Sequence, residues 1–224
     1  EILIGLVGSE MCIRDRNNVR SIGDEAFYNC PDLESIVIPQ SVTYIGSGAF
    51  SSCLSLKEIT LPENVDTVEA NTFSYCRALE KVVLGDNVIL IGEAAFVGCN
   101  SLKSIELPDA LLAIYSHAFS ECSVLESISF GSQLILLDER AFSRCGNLSE
   151  IEFAENSSLI RIAAYAFAEC PKLTQVALPE GLVSLGIGAF NACTELSEVT
   201  MPQSLTTVGS GVFNGTKVYN DCLT

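Results

Sequence analysis

The chain has 224 residues and a formal charge of −16, from 28 acidic and 12 basic side chains. Such a surface repels a phosphate backbone, so the charge argues against binding to nucleic acid or to an anionic membrane surface. No run approaches the roughly 18 uncharged apolar residues that span a bilayer, so we expect no membrane insertion of this fragment.

Residues 1–16 do not fit the pattern that follows. Residues 11–15 read Met-Cys-Ile-Arg-Asp, which matches one reading frame of a transposase-based sequencing-library adapter. We therefore expect 1–16 to be a non-native segment; the alternative, a trimmed signal peptide, lacks a basic start. Residues 17–224 are then expected to form a single repeat domain. The repeat begins in mid-unit without a capping repeat, so we expect truncation at both ends.

From residue 17 onward one unit recurs down the chain. Phenylalanine returns every 23 residues from Phe27 to Phe213, except for one step of 25 between Phe142 and Phe167. In eight copies a cysteine follows three residues after the phenylalanine, then a leucine three residues later and a β-branched residue three after that. A fixed period of this size predicts a β-rich solenoid, about 40 Å long at the usual strand spacing of about 4.8 Å.

Each unit predicts three elements in the same order. Apolar residues alternate in L-x-x-I-x-L, which predicts a short strand that ends at a corner, as at Pro62. A second short parallel strand is expected near residues 66–68, and the Ala-Phe-x-x-Cys stretch is expected to be a short helical turn. The two additional residues fall in 154–158, where we expect a bulge, and residues 217–219 are expected to add a last strand.

The cysteines indicate a buried column of free thiols. Eight of the ten share one position of the repeat, so their side chains point the same way, whereas a disulfide needs converging Cβ atoms. The thiols are also spread along the chain, which argues against structural zinc. Cys222 lies outside the column and is expected to be the most exposed thiol.

The unit L-x-x-I-x-L-P-x-x-V-x-x-I-G-x-x-A-F-x-x-C resembles the BspA-like (Treponema-type) leucine-rich repeat over residues 17–216. It departs from the best-known leucine-rich pattern, because proline stands where an asparagine ladder would follow the strand. The resemblance implies a right-handed, curved leucine-rich-repeat solenoid of 23-residue units with a parallel sheet on one face. It also implies a surface or secreted protein that takes part in adhesion.

Catalysis finds little support in the sequence. The single histidine, His117, precedes Ala118 in a variable position and has no evident partner that would orient it as a base. Glu150 and Glu152 fall on the same side of one strand, at about the separation of paired glycosidase acids, but on an open surface. We expect no enzyme activity, no cofactor and no metal site.

The outward side chains of the first strands are the remaining candidate for function. They form an extended surface without the tyrosine or tryptophan anchors usual at binding hot spots. The candidate protein-binding residues are Glu58, Thr60, Lys81, Glu106, Ser127, Ser129, Glu150, Glu152, Gln175, Glu198 and Thr200. We expect a non-enzymatic protein-binding module at a cell surface, with an intracellular scaffold or an accessory domain of a larger enzyme as alternatives. The protein ligand is not identified by the sequence.

Overall fold

The computed structural model describes residues 11–12 and 18–218, and over this part the chain is a parallel β-solenoid of stacked 23-residue units. Each unit makes a tight circuit of strand, corner, strand and turn. The first strands of the units are β1 Met11–Cys12, β3 Ile36–Val37, β5 Glu58–Thr60, β7 Lys81–Val83, β10 Ser127–Phe130, β12 Glu150–Phe153, β14 Gln175–Ala177 and β16 Glu198–Thr200. The second strands are β2 Ser21–Ile22, β4 Tyr44–Ile45, β6 Thr67–Val68, β8 Leu90–Ile91, β9 Ala113–Ile114, β11 Leu136–Leu137, β13 Arg161–Ile162, β15 Ser184–Leu185 and β17 Thr207–Val208.

The second strands form the longest continuous sheet of the described chain. Seven of them pair in parallel in the order β17-β15-β13-β11-β9-β8-β6, while β2 pairs with β4 separately. The register advances by one whole unit at each step, as in Ile91 opposite Ile114. The strand expected near residues 66–68 is therefore confirmed as β6, and we call this array the second sheet.

The first strands pair only two at a time. The pairs are β1 with β3, β5 with β7, β10 with β12 and β14 with β16. The unit between β7 and β10 has no first strand, although its sequence predicted one at 104–106. Within the described chain, residues 104–107 exchange no backbone hydrogen bond with either neighbouring unit, and without a partner these residues do not form a strand.

The Ala-Phe-x-x-Cys stretch consists of tight turns and not of continuous helix. The residue before this stretch and one residue within it take a left-handed backbone, as at His117 (φ 58°) and Glu121 (φ 64°), and such residues do not continue a right-handed helix. The amide of each phenylalanine then bonds to the next unit, as from Phe119 N–H to the Ala141 carbonyl at 2.7 Å. These bonds link the turns of successive units.

The phenylalanines fill the centre of the solenoid. From Phe27 to Phe213 their rings are stacked on the next ring along the chain, with centroids 5.0 Å apart at the first step and 5.9 Å at the last. The cysteine column lies beside them: the thiol of Cys122, for example, donates a hydrogen bond to the Phe96 carbonyl at 3.2 Å. The eight cysteines of the column, from Cys30 to Cys193, are free thiols, and those from Cys53 to Cys193 are buried.

The bulge at the insertion is confirmed. Phe142 and Phe167 stack at 5.4 Å, and β11 pairs with β13 across the additional residues, so the solenoid continues. The expected last strand is wrong, because residues 217 and 218 are helical; Tyr219 and Cys222 lie outside the described residues.

Candidate functional site

The candidate binding residues form an open surface along the first strands. We call the outward side chains of these strands and of residues 104–106 the first strand face. All of the candidate residues lie here, and all except the half-buried Ser127 are exposed. Their alternation is fixed by the strand, because the intervening Ile59, Val82 and Ile128 point into the core.

The first strand face opens into a groove where the ladder is interrupted. The groove has a volume of about 730 Å³ and lies between β7 and residues 101–106. One wall carries Lys81 and the exposed Val83, and the other carries Lys103 and Glu106. Because residues 104–107 form no backbone hydrogen bond to another unit, amide and carbonyl groups on this side are available to a partner.

A second, smaller groove marks the other interruption in the centre of the face. It has a volume of about 300 Å³ and lies between β12 and β14, two strands that share no ladder pairing. Glu150, Glu152, Gln175, Glu198 and Thr200 line it. The two additional residues at 154–158 lie at the corner between these two strands, while the second sheet continues past them.

Charges on the face are only partly compensated. Ser129 Oγ donates a hydrogen bond to Glu152 Oε2 at 2.9 Å. In the described part of the chain, neither Lys81 nor Lys103 has a carboxylate within ion-pair distance. The larger groove thus holds two cations that are free to meet a carboxylate, in a chain of strongly negative charge.

Groups that could support catalysis are not brought together on this face. His117 lies in the turns, where its Nδ1 is 2.8 Å from the hydroxyl of the adjacent Ser116. Glu150 and Glu152 are exposed on β12, as expected. Among residues 18–218 no three His, Cys, Asp or Glu side chains are grouped so that they could hold a metal ion. No helix of the described chain is long and apolar enough to cross a membrane.

The thiols are buried and weakly acidic. Burial raises the pKa of Cys53 and of Cys76 to about 12, and it raises the pKa of Cys99 and Cys122 well above the ordinary value. A nucleophilic or metal-binding cysteine has the opposite property, a depressed pKa. The cysteine column therefore belongs to the core.

A polar cluster on the turns was not predicted from the sequence. Arg144 bonds both Glu121 and Glu169, in the units before and after its own, and the Arg140 guanidinium lies 4.9 Å from the centre of the Tyr165 ring. Lys103 was also not predicted, because it precedes the alternating positions 104 and 106 of its unit. Glu121, Arg144 and Glu169 occupy the same position in three successive units, so a comparison of this position between neighbouring units could have predicted the cluster.

Comparison with protein families gives one match over most of the chain. The model described as "BspA type Leucine rich repeat region" matches residues 20–148 and 112–220, with six copies. The comparison with curated proteins gave no match.

Several solved structures are similar to this chain. A leucine rich cell surface protein from Faecalibacterium prausnitzii is 27% identical, with 89% of this chain and 68% of that chain covered and a TM-score of 0.49. A leucine-rich repeat protein from Bacteroides ovatus is 28% identical, with 89% and 68% covered and a TM-score of 0.43. The T. pallidum leucine rich repeat protein is 26% identical, with 89% and 71% covered and a TM-score of 0.49.

Proposed function

Since the chain belongs to the BspA-type leucine-rich repeat family, we propose that it is a non-enzymatic protein-binding module that acts in adhesion or ligand recognition at a cell surface. The observation that carries the proposal is the first strand face, an exposed row of mostly polar side chains that extends over successive units. Many weak contacts along such a row act together, so that modest individual contacts give a useful total affinity.

The two grooves indicate which class of ligand this face would bind. They interrupt the surface at two levels and expose strand backbone beside polar side chains, which favours a polypeptide ligand over a small molecule. Neither groove is an enclosed apolar pocket of the kind that small ligands and substrates occupy. The open geometry therefore supports recognition and not catalysis.

Adhesion is tested with beads that carry the chain and a panel of immobilised extracellular matrix proteins. The variant Glu152→Lys with Glu198→Lys reverses two charges on the first strand face. The control, Asp32→Lys with Glu63→Lys, makes the same change in net charge at exposed positions outside this face. We expect the face variant to weaken binding by about tenfold or more, and the control to weaken it much less.

Two results would contradict the proposal. Equal losses in both variants would show that net charge governs the binding and that the face does not. Failure of the unmodified chain to bind any protein of the panel would contradict the adhesive role.

A further inference from the structure

A row of aliphatic side chains, exposed in three units and half-buried in the first two, runs along the second sheet. It consists of Ile89, Leu112, Ile135, Ile160 and Val183, each immediately before a second strand, and we call it the aliphatic ladder. The amide of each of the last four members donates to the carbonyl of the member before it, at 2.8, 2.9, 3.1 and 2.9 Å in order. At about 4.8 Å per step, the ladder is about 19 Å long.

The ladder presents an apolar surface to solvent. Ile135, Ile160 and Val183 are 43%, 51% and 39% exposed. The patch continues sideways onto the half-buried Leu90 and Leu136, which point outward from β8 and β11. Scattered apolar residues are normal on a protein surface, but a contiguous apolar patch marks an interaction site.

The fold does not require aliphatic residues at these positions. The same position of the repeat holds Thr43, Asp66 and Thr206 in other units. Their backbones make the same bonds: Thr206 N–H donates to the Val183 carbonyl at 3.0 Å, and Ile89 N–H to the Asp66 carbonyl at 2.8 Å. The hydrogen bonding of the sheet therefore does not explain why this position is aliphatic in five consecutive units.

Carboxylates border the ladder on both sides. Asp86, Asp109 and Glu180 lie at the corner three residues before Ile89, Leu112 and Val183. Glu93 and Asp138 lie on the side of the turns. In the described part of the chain none of these carboxylates forms an ion pair. Arg161 points outward from β13 beside Ile160, so one positive charge opposes these five carboxylates, and a partner that covers the ladder would meet net negative charge at its borders.

We propose that the aliphatic ladder is a docking surface for a basic amphipathic helix of a partner protein. The inner strands of the second sheet are hydrogen-bonded on both sides, so the partner cannot add a strand there and must pack through side chains. A helix that lays its apolar stripe on a sheet is the usual way to cover such a face. A length of 19 Å corresponds to about 13 helical residues, and Lys or Arg beside the stripe would meet the carboxylates.

The charges disfavour a second copy of the chain as the occupant. Two ladders packed face to face would bring acidic borders against acidic borders, in molecules that each carry a charge of −16. The proposal is independent of the first strand face, because it concerns another surface, and the two can fail separately.

The test uses two synthetic helical peptides of 14 residues: one of Leu and Lys with an apolar stripe, and one with each Lys replaced by Glu. Binding is measured by fluorescence anisotropy. The ladder variant is Ile135→Thr with Ile160→Thr, which introduces the residue type found at this position in other units. The control is Val37→Thr with Leu54→Thr, at exposed apolar positions that lie outside the ladder and outside both grooves.

We expect the Leu-Lys peptide to bind the unmodified chain and the control variant alike, and to bind the ladder variant about tenfold more weakly. Three results would overturn the proposal. Equal binding to the ladder variant would show attraction by charge alone. Equal binding of the Leu-Glu peptide would remove the role of the borders. A dimer in sedimentation, or binding to neutral phosphatidylcholine vesicles, that the ladder variant loses would assign the ladder to a second copy or to lipid.

Discussion

The first strand face and the second sheet are built by the same repeat, yet they differ in continuity. The second sheet joins seven strands without a break, whereas the first strands pair two at a time and are absent at residues 104–106. The second strands lead directly into the turns, where each phenylalanine amide bonds to the next unit and the rings stack at 5.0–5.9 Å. This ring spacing is close to the spacing of about 4.8 Å between paired strands.

The first strands lead instead into the corner, which is the least regular part of the unit. Pro62, Gly85 and Ala154 occupy the same position there, and the two additional residues fall at 154–158. The corner thus varies in residue type and in length between units, and one interruption of the first strands lies beside the insertion. We expect stability to be concentrated on the side of the turns, because the hydrogen bonds between units continue there, whereas residues 104–107 on the first strand face form none.

Hydrogen exchange measures this difference most directly. The Ile105 amide has no backbone acceptor in the described chain, although its side chain is buried, whereas the Ile135 amide bonds the Leu112 carbonyl at 2.9 Å. We expect Ile105 to exchange at least about a hundredfold faster than Ile135, after correction for intrinsic rates. Comparable protection, read by mass spectrometry or NMR, would mean that residues 104–107 are paired in solution and that the groove is closed.

Truncation of a phenylalanine ring should reduce stability more in the ring column than at the end of a first strand. Phe119 is fully buried in the ring column, while Phe153 at the end of β12 is half-buried. We expect Phe119→Ala to lower the free energy of unfolding by about 3–5 kcal/mol, because the vacated space is enclosed by packed rings. The same substitution at Phe153 should cost clearly less. Urea unfolding of both variants checks this, and equal losses would contradict a ring column that dominates stability.

Much of the fold could be predicted because every unit repeats the same pattern. The spacing of the phenylalanines, the inward Ile59 and the buried cysteines are properties of a column, and eight or nine copies make each column easy to read. The turns were less predictable. Left-handed backbone at residues such as Ala94 and Arg144 has no marker in the residue type, since glycine occupies these positions in only some units.

The candidate site could be predicted only in part. The alternation of the first strands placed Glu58 and Gln175 on the surface. However, the interruption at Ser104–Glu106 depends on the spacing of whole units, and nothing in that unit's residues accounts for it. The aliphatic ladder was visible in the sequence at Ile135 and Ile160. It was not predicted because only the inward residues of the second strands were considered, and the outward residues just before these strands were not compared between units.

The pH dependence of stability tests the burial of the cysteine column. The pKa of Cys76 is raised by burial from 9.0 to about 12, so the folded thiol keeps its proton while the unfolded one loses it. The contribution of the protonated thiol to the free energy of unfolding is complete below pH 9. It is lost as the pH rises toward 12, at up to about 1.4 kcal/mol per pH unit for each such thiol. Cys76→Ala should therefore show a shallower loss of stability between pH 8 and 10. Parallel curves for variant and unmodified chain in urea unfolding would place the Cys76 thiol in contact with solvent.

The smallest expected effect concerns the left-handed residues of the turns. Ala94 has a φ of 52°, whereas Ala95 beside it has no positive φ and is fully buried. Relief of strain at Ala94 exceeds the added flexibility of glycine, so Ala94→Gly should raise the free energy of unfolding by up to about 1 kcal/mol. Ala95→Gly should lower it by about 1–2 kcal/mol, since it adds flexibility and removes a buried methyl group. Opposite signs in the two thermal melts would establish the left-handed turn, whereas destabilisation by both would show that Ala94 takes an ordinary backbone in solution.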